Sequence, residues 1–185
     1  NYYDSSFVIP EGVTEIQSAG LYYMGLSSVT LPDSLEIIGD WAFAGNNLSE
    51  LTIGSNVNEI GDWFFLDNNI SNFYVDVANP YFMSEDGVLF NKDKTEIIAF
   101  PPNYYSTSYT MPNTVTSLRD ASFIKGNITS ITFSNSLSTI PYYSFFDGNL
   151  TSILISDSVV IIGRTAFEGN QLISVLIPDS VTEIQ

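Results

Sequence analysis

The sequence predicts a repeat solenoid, mainly β with short helical turns, with a 22-residue period and one β-hairpin insertion. Three observations predict it. An apolar anchor at Ile9 recurs at Leu31, Ile53 and Val75, then at Met111, Phe133, Ile155 and Ile177, each step being 22 residues except one of 36 after Val75. Counting from the anchor, position 7 keeps the same register (Ile16, Ile38, Ile60, Leu118, Ile140, Ile162, Ile184), as does position 12 with Phe43, Phe65, Phe123, Phe145 and Phe167. Proline, glycine and asparagine fall at fixed offsets between these apolar columns. Each coil of such an array buries its apolar face against its neighbours, about 4.8 Å away, rather than in a core of its own.

The elements follow in order along one coil. Apolar positions 20 and 22 alternate with polar 19 and 21, as in Glu50-Leu51-Thr52-Ile53, which is the period-two pattern of a half-buried strand. Pro32, Pro112 and Pro178 come directly after the anchor, where a strand can end because its ladder needs no further N–H. Positions 4 to 7, such as Val13-Thr14-Glu15-Ile16, read as a second short extended piece. Gly39 to Asn47 is too short for a full helix; one tight helical turn is expected there, buried through its Phe and ended by Gly or Asn at positive φ.

The irregular step divides one continuous solenoid into repeats over 1–75, a repeat carrying the insertion over 76–110, and repeats over 111–185. Val88-Leu89-Phe90 and Glu96-Ile97-Ile98-Ala99-Phe100 are apolar runs around Asn91-Lys92-Asp93-Lys94-Thr95, a hairpin pattern with a polar loop. The array starts just before a coil at Asn1 and stops within one at Gln185, without the polar capping repeats that solenoids need, so the expectation is a piece of a longer protein.

The unit Leu-x-x-Leu-x-Ile-Pro-x-Ser-Val-x-x-Ile-Gly-x-x-Ala-Phe-x-x-Asn resembles the BspA-type leucine-rich repeat. Leu150 to Asn170 follows it nearly throughout, with Ser156 in place of the Pro, and Asn79 to Phe90 is similar to a segment that interrupts many arrays of that family. The resemblance implies a surface or secreted protein that binds host or matrix proteins, hence an extracellular or cell-surface location.

Composition narrows the chemistry. Five basic residues against 21 acidic ones give a formal charge of −16, which disfavours nucleic acid and anionic membrane surfaces as partners. No signal peptide or membrane-inserting segment is visible in the sequence. The chain has neither Cys nor His, so thiol nucleophiles, His-based triads and most zinc sites are excluded. Glu85-Asp86 is the densest carboxylate pair, and before Gly87 it reads as a turn. No catalytic residue, cofactor or metal site is expected.

Binding remains. The outward strand positions are nearly uncharged in an acidic protein, and Glu50, Thr52, Asn72, Tyr74, Thr132, Leu154 and Leu176 are the candidate protein-binding residues on what solenoid curvature usually makes the concave face. Serine and threonine there equally suit a plain pleated surface. Trp41 and Trp63 share position 10, beside Asp40 and Asp62, and are the candidate carbohydrate-stacking residues. Asn47, Asn69, Asn127 and Asn149 open Asn-x-Ser/Thr sequons at position 16, where Asn is expected to satisfy backbone groups before the strand. The preferred reading is a protein-binding or adhesion module. A passive spacer attached to another, catalytic domain and a carbohydrate-binding surface are the alternatives.

Overall fold

The computed structural model describes residues 5–185, so the first four residues of the anticipated 1–75 block lie outside the described residues. The chain divides into two compact units, Asn1–Lys92 and Asp93–Gln185. The first contains β1 Ser6–Val8, β2 Glu15–Ile16, β3 Ser28–Thr30, β4 Ile37–Ile38, β5 Glu50–Ile53, β6 Glu59–Ile60, β7 Asn72–Val75, β8 Phe82–Glu85 and β9 Val88–Asn91. The second contains β10 Glu96–Ala99, β11 Ser108–Thr110, β12 Ser117–Leu118, β13 Ser130–Thr132, β14 Thr139–Ile140, β15 Ser152–Leu154, β16 Ile161–Ile162 and β17 Glu183–Ile184.

Both units are parallel β-solenoids whose strands pair with the residue one period away. In the first, Phe7 faces Val29, Leu51 faces Phe73 and Ile38 faces Ile60. In the second, Ile131 faces Ile153 and Ile140 faces Ile162. The apolar columns are buried as their spacing requires: Leu35, Ile38, Phe43, Leu48, Leu51 and Phe73 in one unit, Val115, Phe123, Ile128, Leu137 and Phe145 in the other.

The expected helical turn does not form, and no helix occurs among the described residues. Two β-turns follow one another instead. The N–H of Ala42 donates to Gly39 O (3.2 Å) and that of Ala44 to Trp41 O (3.0 Å). Position 10 takes a positive φ in every regular coil, at Ala19, Trp41, Trp63, Ala121, Tyr143 and Thr165, and position 14 does so from Tyr23 and Gly45 to Asp147 and Gly169. Such residues turn successive N–H groups toward the next coil: Trp41 N to Asp62 O, Phe43 N to Phe64 O and Gly45 N to Leu66 O, at 2.8–3.0 Å. A helical turn would leave those groups pointing along its own axis, so coil-to-coil bonding offsets the roughly 1–2 kcal/mol that each left-handed non-glycine residue costs. Only the Gly45 end was expected.

The insertion forms strands where expected at Val88–Asn91 and Glu96–Ala99, and adds one that the spacing did not predict, Phe82–Glu85. The antiparallel hairpin of the first unit joins β8 to β9, with Met83 opposite Phe90 and Glu85 opposite Val88. Asp86 and Gly87 form its two-residue turn, both at positive φ (51° and 78°), as a primed hairpin turn demands. Glu96–Phe100 belongs to the second unit, where β10 runs parallel to β12 with Ile97 opposite Leu118. Phe100 donates its N–H to Ser122 O (2.7 Å) and stacks on Phe123 (centroids 4.5 Å apart), the place that position 12 holds in a regular coil. The added residues therefore supply a working substitute for coil segments.

Candidate functional site

In the first unit the candidate outward residues are neighbours as the period requires, with Glu50 opposite Asn72 and Thr52 opposite Tyr74. Tyr74 is 46% exposed. Asn72 is half-buried because the hairpin turn lies against it: Phe73 N donates to Gly87 O (2.9 Å), and a Cβ on Gly87 would meet Asn72 Oδ1 at 2.6 Å. The hairpin thus covers part of the face that the strand pattern alone left open.

In the second unit Thr132 pairs with Leu154, which is 70% exposed. Leu176 is 77% exposed but is not on a strand, since no ladder forms over 174–176. Ile173, Val175 and Ile177 of the same segment are exposed as well. Leu154 lines an open hollow of about 540 Å³ with Thr132, Asn135 and Asp157. A second hollow of about 260 Å³ joins Leu154 to Leu176 and Pro178. The result is an apolar stripe with a polar edge, the composition of an interface centre and its rim.

The indoles are placed differently. Trp41 is 45% exposed and lines a hollow of about 300 Å³ with Ala19, Tyr22 and Leu66; Trp63 is half-buried and is not in its wall. Asp40 does not face that hollow either, its carboxylate accepting from Asp62 N at 2.8 Å. Tyr22, missed in the sequence, meets Tyr23 edge to face at 4.6 Å, and Tyr23 lies over Gly45, where a Cβ would meet the ring at 2.3 Å.

The asparagines that bridge coils stand one position before the sequon ladder. Asn68 accepts from Leu48 N and donates to Phe65 O and Phe43 O at 2.8–3.0 Å, and Asn46 and Asn170 repeat the pattern. Asn47, Asn69 and Asn149 are exposed. Asn127, where Gly126 occupies the bridging slot, turns inward and donates to Tyr104 O (2.7 Å). Position 15 faces the core side of the turn, and position 16 faces outward except at Asn127, which residue identity does not reveal. Among the described residues no group of three or more His, Cys, Asp or Glu side chains could hold a metal ion. No helix of the described residues is long and apolar enough to cross a membrane.

Coil-by-coil parallel ladders on a 22-residue period, with inward Leu, Ile and Phe columns, define a leucine-rich-repeat solenoid. More particularly, residues 3–105 and 93–185 match the BspA type leucine rich repeat region (6 copies), and the chain belongs to that family. Solenoids of this class commonly mediate protein interactions and are typically non-catalytic. Among solved structures, the chain is similar to the pneumococcal vaccine antigen PcpA, at 26% identity and a TM-score of 0.82 over 97% of this chain and 58% of that one. It also shares its fold with a leucine rich cell surface protein of Faecalibacterium prausnitzii (21% identity, TM-score 0.65, 97% and 59% covered). A leucine-rich repeat protein of Eubacterium ventriosum is more distant, at 17% identity and a TM-score of 0.51 over 97% and 81% of the two chains. The chain thus spans under three-fifths of the length of the first two. No curated protein matches it.

Proposed function

We propose that the chain is a protein-binding or adhesion module displayed outside the cell, with host or matrix proteins as partners. The observation that carries this reading is the apolar stripe of the second unit. Leu154 and Leu176, both more than two-thirds exposed, flank open hollows beside Asn135 and Asp157. Isolated exposed leucines need no explanation, but a contiguous stripe with a polar rim does. Tyr74 offers the first unit a separate aromatic anchor on its own outward strand. The similarity to a leucine rich cell surface protein supports the location.

The test is surface plasmon resonance of the folded chain against purified extracellular-matrix and serum proteins, repeated with Leu154→Glu and Tyr74→Ala. A saturable partner is expected, with affinity at least tenfold weaker for Leu154→Glu and an unchanged melting curve. Undiminished affinity in both variants would remove the strand faces from the reading. Silence across the panel would favour the spacer.

A further inference from the structure

The first unit holds another hollow, of about 510 Å³, which shares no lining residue with the hollows described above. Its wall is shared by Glu36, Ser55, Asn56 and Asn58 with Ala78, Pro80 and Tyr81. Tyr81 is 52% exposed, and its backbone is anchored at both its N–H and its carbonyl. The side-chain oxygen of Asn79 accepts from Tyr81 N and Phe82 N at 2.8 Å each, and its amide donates to Gly54 O and Val57 O at 2.7 and 2.9 Å. Asn79 is wholly buried, and the two carbonyls it grips bracket Ser55 and Asn56. One saturated side chain therefore ties the backbone of Tyr81 to the polar turn that shares the hollow with its ring. Lys92, the first unit's one cation, donates to Asn79 O and completes the clamp.

The polar wall has capacity to spare. Asn56 donates to Asp33 O (2.7 Å), which leaves its side-chain oxygen unengaged. Asn58 makes one long contact to Asn56 O (3.4 Å). Neither the Glu36 carboxylate nor the Ser55 hydroxyl is engaged by another described residue. We propose that this hollow is a saccharide-binding site. A pyranose presents an apolar C–H face and a rim of hydroxyls that both donate and accept. It therefore needs an aromatic face beside planar amide, carboxylate and hydroxyl groups, and these are what the hollow sets together. The Trp41 hollow, walled by Ala19, Tyr22 and Leu66, offers a ring without such a polar wall, so hydroxyls buried there would lose water without replacement. Thirteen acidic residues and one basic residue in Asn1–Lys92 give that unit a formal charge of −12. The sugar is accordingly neutral or amine-bearing, and sulfated or carboxylated glycans are repelled.

The site is distinct from the strand faces, so it stands or falls without them. The experiment is a glycan array, followed by NMR titration of the labelled chain with the methyl glycosides of the hits. At least one neutral or amino pyranoside should shift the Tyr81, Asn58 and Ser55 amides. Tyr81→Ala should weaken it tenfold or more and Asn58→Ala severalfold, while Tyr81→Phe and Trp41→Ala retain it. Three outcomes would overturn the proposal: no pyranoside perturbing these amides at millimolar concentration, binding indifferent to Tyr81→Ala, or a preference for sulfated glycans. A Lys- or Arg-rich peptide shifting the same amides, with salt-dependent affinity and no sugar response, would likewise replace the saccharide by a basic polypeptide.

Discussion

The two units share one scaffold and differ in what they show to solvent. Asn1–Lys92 carries thirteen acidic residues and one basic; Asp93–Gln185 carries eight and four, so the formal charges are −12 and −4. The first presents exposed aromatic rings at Tyr22, Trp41, Tyr74 and Tyr81, the second an aliphatic stripe at Leu154 and Leu176. Inside, the first unit packs Phe64, Phe65 and Phe73 edge to face or tilted, at 5.0–5.8 Å. The second stacks Phe100, Phe123, Phe145 and Phe167 in a column at 4.5–5.4 Å. Inward positions keep the coil spacing, while outward ones are free to vary. The chemical differences between the two units are therefore carried by the outward positions and by the insertion.

The largest expected effect tests the two cores against each other. Phe123→Ala removes a ring with a stacked partner on both sides, so it should destabilise its unit by about 4 kcal/mol. Phe73→Ala should cost slightly less, because an edge-to-face cluster loses its contacts without interrupting a column. Hydrogen exchange resolved by coil is the right measurement, since a repeat array need not unfold in one step. Equal losses spread over both units would show that the stacked column has no special weight.

The bridging asparagine comes next. Asn68→Ala strands the N–H of Leu48 and the carbonyl of Phe65 in a buried turn, while Phe43 O keeps its bond from Asn46, a loss on the order of 3 kcal/mol in urea unfolding. Asn69→Ala, one residue on and exposed, should change stability by roughly 0.5 kcal/mol or less. Reversed magnitudes would return the structural role to the sequon column.

That contrast marks how far the sequence was legible. The period placed the long and short strands, because Leu51 and Ile53 must face inward together and only an extended backbone alternates that way. It also placed Tyr74 and Leu154 outward. It did not place the left-handed residues at Trp41 and Trp63, since a bulky side chain gives no local sign of a positive φ that only coil-to-coil bonding enforces. Phe82–Glu85 was passed over because a short mixed segment carries little strand signal until its Asp86-Gly87 turn returns Val88–Asn91 beside it. Tyr81 was visible as a residue but not as a site. Its wall comes from Ser55 to Asn58 and Glu36, brought near by the fold and by Asn79, whose four hydrogen bonds have no signature in spacing.

The smallest effect expected is electrostatic, and it bears directly on the charge difference. In a compact unit at −12, like charges raise the energy of the folded state relative to the expanded chain, and salt relieves this by shortening the Debye length from about 30 Å at 0.01 M to about 10 Å at 0.1 M. The first unit should therefore gain more protection on that change than the second at −4, by something under about 1 kcal/mol at exposed positions. Amide exchange of β5 and β7 compared with β13 and β15, at the two salt concentrations, measures it. Hydrophobic and hydrogen-bonded contributions are common to both units and respond alike to so modest a change in salt, so they cancel in the difference. Equal slowing in both pairs of strands would mean that the acidic side chains of Asn1–Lys92 are spaced too widely to repel. The bar against anionic sugars at the Tyr81 hollow would then rest on Glu36 alone.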